Sequence, residues 1–308
     1  MEAEHALLQR AVTVVLNLSF ALLVGASAAS LWLHAGRSAW AQATTQRLRG
    51  TLLLATGAAI VAYAAILWIE ATSMAEVPLA ESWPAVRSVI AATHYGLAWM
   101  IGAAALLVVA LSAAAARGRA AWIGSAALAV LLYSRSMVSH AGAGGDFSWA
   151  VAADWLHLVL VSLWVGEVIV AGLLVLRRMP GDAPVDRADC AAYVEALSRS
   201  ASVALAGIFL TGALGVWRVL ASPQDLVGNP YGSALLLKVG LVLCAAMLGG
   251  LNRFVVMPAL LDALRHPAHA MHDSRRRFAR VLQAETVFLL AAVVAAAVLT
   301  STPPPMAS

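Results

Sequence analysis

Apolar residues in this chain come in long unbroken runs, not in the alternation of a strand or the one-sided stripe of a soluble helix. A membrane-crossing helix needs about 20 mostly apolar residues. Eight stretches qualify, at roughly 11–33, 50–72, 88–114, 120–138, 150–176, 201–220, 232–256 and 280–301. Between them lie turn-forming and charged segments such as Arg117-Gly118-Arg119, Met179-Pro180-Gly181-Asp182 and Gly228-Asn229-Pro230. The pattern predicts an all-α membrane protein with eight transmembrane helices. The first run carries Glu2 and Glu4 ahead of it and is too long for a cleaved signal peptide, so it reads as a retained helix. No fixed-period repeat is present.

Charge then gives an orientation. With eight crossings, one side of the membrane and its helix ends hold Arg10, Arg87, Arg135, Arg218 and Lys238, which leaves fifteen of the 20 cations on the other. Lys and Arg concentrate in cytoplasmic loops, so both termini are expected in the periplasm. Trp83, Trp149, Trp155 and Trp217 fall at the outer interface, and Trp32, Trp40 and Trp122 at the inner one, as aromatic belts do. Residues 1–149 and 150–308 read as two four-helix halves.

Composition excludes several classes. Of 308 residues 62% are hydrophobic and 12% charged, with mean hydropathy +0.83. A soluble domain is about half apolar and a quarter charged, so an ordinary soluble enzyme, a disordered chain and a disulfide scaffold are all ruled out. The net charge of +4 reports topology and implies no nucleic-acid partner. There is no phosphate-binding G-x-x-x-x-G-K-[ST], no membrane Cys-Pro-Cys and no phosphorylated-aspartate motif, so no nucleotide-driven pump is visible.

Ionisable groups within membrane helices are expensive and mark candidate sites. His94 and His157 each lie about six residues inside a span from the outer side, roughly 9–10 Å deep at 1.5 Å per residue. His140 lies at the outer end of the fourth span. Met137, three residues before His140, is expected on the same helix face. Met74, near Glu70 and Glu76, ends the second span, while Met100 points elsewhere around its helix. Imidazole and thioether together suit copper, and thioether favours Cu(I) over Cu(II). The expected site therefore joins His94, His140 and His157, with Met137 or Met74 as further ligands. The ordinary alternative is an interfacial hydrogen bond for each imidazole and core packing for each Met.

Glu167 follows Trp164 by three residues near mid-membrane, where a carboxyl is protonated, paired or faces a polar cavity. Glu167, Trp164 and Glu70 are candidates for a transport path. Asp154 and Trp155 read as a helix cap and anchor, Lys238 as a cation that snorkels outward, and Glu285 as a partner of Arg280 or Arg253. His266, His269 and His272 with Met271 form an inner-loop cluster that could exchange a metal ion, next to an ordinary arginine anchor. Cys190 and Cys244 lie at different depths without C-x-x-C spacing, so no disulfide or thiolate clip is expected.

Several motifs resemble the copper resistance D family (CopD, also called PcoD). They are Asp154-Trp155-Leu156-His157, Leu163-Trp164-Val165-Gly166, Tyr231-Gly232 leading to Leu236-Leu237-Lys238, Gly249-Gly250-Leu251-Asn252-Arg253, the Leu282–Glu285 region and the closing Leu299-Thr300-Ser301-Thr302-Pro303-Pro304-Pro305. They cover roughly residues 150–305, and Ser139-His140 matches the family's N-terminal half less distinctively. The resemblance implies an eight-helix inner-membrane protein that handles copper, moves it toward the cytoplasm and works with a small periplasmic copper carrier of the CopC kind. His157 and Trp164 carry over directly. Glu167 departs from the family, which usually keeps a second glycine there. Two other classes compete: a b-type cytochrome with histidines ligating haem from separate helices, which a Soret band would reveal, and a copper-homeostasis partner protein that transports nothing.

Overall fold

The computed structural model describes residues 2–115, 118–178, 180, 183–220, 223–266 and 271–302. All regular structure among them is helical. The helices are α1 Glu2–Leu33, α2 Ala39–Ala75, α3 Trp83–Ala92, α4 His94–Ala115, α5 Arg119–Met137, α6 Trp149–Val170, α7 Pro184–Val219, α8 Pro230–Leu251, α9 Met257–Arg265 and α10 Met271–Thr300. Two single π-helical turns extend this pattern, Ala171–Val175 after α6 and Asn252–Val256 between α8 and α9. Seven helical segments among the described residues are long and apolar enough to cross a membrane.

α1 and α6 form the centre. They cross at Gly25 and Gly166, where a Cβ on Gly166 would stand 1.8 Å from the Ala21 carbonyl oxygen and one on Gly25 2.2 Å from the Gly166 backbone. Only two bare backbones allow this approach. α2, α4 and α5 pack on one side of the pair through Leu16, Phe20, Tyr63, Leu106, Leu128 and Leu131. α7, α9 and α10 pack on the other through Trp164, Val168, Tyr193, Leu260, Phe278 and Leu289. Arg10 Nε donates to Ser301 Oγ at 2.8 Å, so the start of α1 and the end of α10 lie at the same face of the bundle. The opposite face is tied by Ser38 N to Asp189 (3.0 Å), Trp40 N to Asp186 (3.1 Å) and Arg265 to Glu195 (2.7 Å).

Several sequence expectations change. The third run is not one helix. Thr93 is extended (φ −118°, ψ 154°) and its hydroxyl accepts from Gly96 N at 3.0 Å, so it ends α3 and caps α4. The sixth run begins far earlier, at Pro184, because Cys190, Ala191, Tyr193, Val194 and Leu197 bury one face of an amphipathic extension. Trp40 belongs to the interior: it is buried and its indole donates to the Arg178 carbonyl at 2.7 Å. Trp83, Trp122, Trp149 and Trp217 do stand exposed. Ser148, not Asp154, caps α6, accepting from Val151 N at 3.3 Å. Both cysteines are free.

Candidate functional site

Along α6 the polar side chains fall at two levels. The upper level lies nearest the face where the chain ends meet. His157 Nδ1 is 2.9 Å from Thr211 Oγ1 of α7. The Thr211 hydroxyl has one proton and lies 2.7 Å from the Gly207 carbonyl oxygen, which can only accept. That proton therefore goes to Gly207, and Thr211 accepts from His157 Nδ1–H. The network assigns the Nδ1–H tautomer, so the ring's lone pair is on Nε2, and the Ile208 backbone carbonyl is a further hydrogen-bond partner of the ring. An imidazole oriented by an outer hydrogen bond at Nδ1 is the arrangement of many metal-binding histidines. Gly212 lies against the ring: a Cβ there would be 3.5 Å from Cε1.

Asp154, one turn before His157, accepts from Ser139 Oγ at 3.0 Å. Lys238 of α8 interacts electrostatically with both Asp154 and His157. It is half-buried.

The other predicted ligands do not join His157 in one group. Among the described residues, no three His, Cys, Asp or Glu side chains gather closely enough to hold a metal ion. His94 is the first residue of α4, not six residues inside a helix, and its half-exposed ring pairs with Asp146 at 2.8 Å. α5 stops at Met137, so Met137 and His140 share no helix face. Met137 is buried, while His140 opens a separate turn, His140–Gly144, and is exposed. Met74 is 54% exposed at the end of α2. Glu70 is half-buried and accepts from Gln9 Nε2 at 2.9 Å. The single three-histidine centre is thus replaced by one inner imidazole and two at the rim. His266 pairs with Asp262 at 3.2 Å on α9; His269 and the His272 side chain lie outside the described residues.

The lower level is ten residues further along α6, roughly 15 Å by helix rise. Glu167 is 1% exposed and accepts a short hydrogen bond from Ser200 of α7, while its Oε2 is buried without a partner. Glu285 of α10 is 3% exposed and accepts from Trp164 Nε1 at 3.2 Å. It lies against the bare backbone of α8, where a Cβ on Gly249 would come within 3.1 Å of Oε1. Neither expected arginine partner holds it. Arg253 is engaged by Ser198 and Ser202 at 2.7–2.8 Å, and Arg280 forms no ion pair with Glu285 among the described residues. Thr211 and Ser200 were not singled out in the sequence, and Ser139 only as part of the family-like Ser139-His140. Their signal is a hydroxyl inside or beside an apolar run at the depth of a buried ionisable group.

Residues 191–299 match the family profile described as copper resistance protein D, and residues 4–149 match copper resistance protein D-like, N-terminal domain. The chain belongs to the CopD-like copper resistance family. It is 27% identical over 229 residues to the copper transport protein CutJ of Bacillus subtilis, covering 71% of this chain and 39% of CutJ. It is also 27% identical over 219 residues to copper resistance protein D of Pseudomonas syringae pv. tomato, covering 68% of this chain and 69% of that protein. The chain therefore spans about two fifths of CutJ. Family membership and the seven helices among the described residues that are long and apolar enough to cross a membrane make this CopD-like chain a multi-pass membrane protein.

Proposed function

We propose that this CopD-like protein moves copper ions through the bacterial inner membrane, from the periplasm toward the cytoplasm, with His157 as its inner ligand. The observation that carries the reading is the Thr211 hydrogen bond, which orients the His157 ring through Nδ1 and supports Nε2 as the metal ligand. Copper is captured in sequence: at the rim by His140 and His94, with Met74 and Met137 as soft thioethers near that level, and then by His157. Glu70 adds a carboxylate at the rim, and Trp164 and Glu167 lie on the route below. The Cu(I) or Cu(II) state follows from which of these ligands the ion takes.

Eight crossings with periplasmic termini complete the reading. The Arg10–Ser301 contact supports it, because chain ends at one face require an even number of crossings. α5, packed antiparallel to α4 through Leu128, Leu131 and Leu106, supplies the crossing beyond the seven more apolar ones. The cation-rich loops then face the cytoplasm. The halves 1–149 and 150–308 each contribute four crossings, and a periplasmic carrier of the CopC kind is the expected donor.

The test is copper stoichiometry and affinity of the purified protein, with copper uptake into proteoliposomes beside it. His157→Ala is expected to lose the tightest bound copper and the uptake. Unchanged binding and uptake in that variant would overturn the assignment.

A further inference from the structure

The lower level of α6 has a different chemistry from the upper one. Its donors are oxygen: the carboxyls of Glu167 and Glu285, the Ser200 hydroxyl and the Tyr193 phenol. Oxygen donors suit hard cations, and imidazole suits copper. Both acids are at least 97% buried, being 1% and 3% exposed. No ion pair to Lys, Arg or His reaches either one among the described residues. Trp164 donates to Glu285, and it precedes Glu167 by three residues on α6.

A bare buried carboxylate without a counter-cation is not sustainable in a bilayer interior, so each acid must carry a proton or neutralise a cation. Two buried, unpartnered polar atoms mark a place to receive one. They are Glu167 Oε2 and the hydroxyl of Tyr193, which is 2% exposed and interacts electrostatically with Glu167. Ser200 and Tyr193 of α7 face Glu167, while Trp164 of α6 and Gly249 of α8 face Glu285.

We propose that Glu167 and Glu285 each hold an exchangeable proton, at a level separate from the copper-binding imidazole, and that together they couple copper movement to proton movement in the opposite direction. With both acids protonated the interior is neutral and His157 is empty. When copper occupies His157, an acid gives its proton to the aqueous phase, and the carboxylate left behind offsets the arriving charge. One proton leaves per unit of positive charge, so Cu(I) displaces one and Cu(II) two. This rests on copper binding at His157, but it does not need transport to be observed.

The experiment uses the full chain in detergent, in weak buffer at about pH 7.5, above the ordinary imidazole range. Copper is titrated in while bound metal and released protons are measured together. Wild type is expected to release one or two protons per copper. Glu167→Gln and Glu285→Gln, which keep shape and acceptor oxygens, should each lower the yield, and the double variant should abolish it while copper still binds. If copper binds and no protons appear, or if the double variant releases them as wild type does, the coupling proposal is overturned. If copper does not bind at all, the copper reading itself fails. In proteoliposomes, wild-type copper flux with sodium counterflow and no proton counterflow would also overturn it.

Discussion

Trp164 donates its indole proton to Glu285 across the α6–α10 contact at 3.2 Å, and the two side chains are each almost wholly buried. The bond ties the family-like Trp-x-Gly stretch to a carboxyl with no other hydrogen-bond donor among the described residues. Trp164→Phe keeps the ring bulk and removes the N–H. It should leave Glu285 unsatisfied at a cost of about 1–3 kcal/mol, seen as a lower melting midpoint in detergent. Glu285→Gln keeps an acceptor for the indole and should melt close to wild type. Equal loss in both would mean the bond is not what the indole supplies.

The Thr211 hydroxyl acts on copper only through the His157 ring. Thr211→Val removes the Nδ1 acceptor with little change in volume, and outer partners of metal-binding histidines are typically worth about 10–100-fold in affinity. Copper affinity should fall by that factor, and Thr211→Ser should recover most of it. Isothermal titration or competition with a copper chelator reads the outcome. An unchanged affinity in Thr211→Val would show that the ring is not oriented by this bond.

Much of this was legible before the fold was seen, for physical reasons. Lipid demands long apolar runs, so the crossings announce themselves. Depth along a helix is a count of residues, which is why His157 and Glu167 stand out from the sequence as candidates within an apolar run. Convergence is not a count. His94 fell out of the expected centre because Thr93 starts a new helix within an apolar run, where hydropathy is blind to a cap. Met137 and His140 separated because α5 ends between them. The partners Thr211, Ser200 and Gly249 come from other helices, and no spacing within α6 points to them. The amphipathic start of α7 was missed because it is read by its face rather than by its mean apolarity.

The α1–α6 crossing should be the least tolerant point of the bundle. Gly166→Ala brings a Cβ to 1.8 Å from a carbonyl oxygen, which no rotamer change relieves. Overpacking costs typically 1–3 kcal/mol and at times more, so the variant should show a strongly lowered melting midpoint or an aggregated profile on size exclusion. Gly240→Ala meets nothing within 4 Å and should leave both unchanged. A Gly166→Ala protein as stable as wild type would mean the helices do not meet here.

Topology gives the last prediction, and α5 decides it. In a background where Cys190 and Cys244 are replaced by Ala, single cysteines are placed at Phe147, at Ala121 and at Val185, all exposed outside the bundle core. A membrane-impermeant maleimide is applied to intact spheroplasts. Phe147→Cys lies beyond the far end of α5, on the face that both chain ends share, and should label at once. Ala121→Cys and Val185→Cys belong to the cation-rich side and should label only after lysis. Should Ala121→Cys label together with Phe147→Cys, α5 does not cross. The shared face of the two chain ends would then need a different even count, and the eight-crossing reading would have to be abandoned.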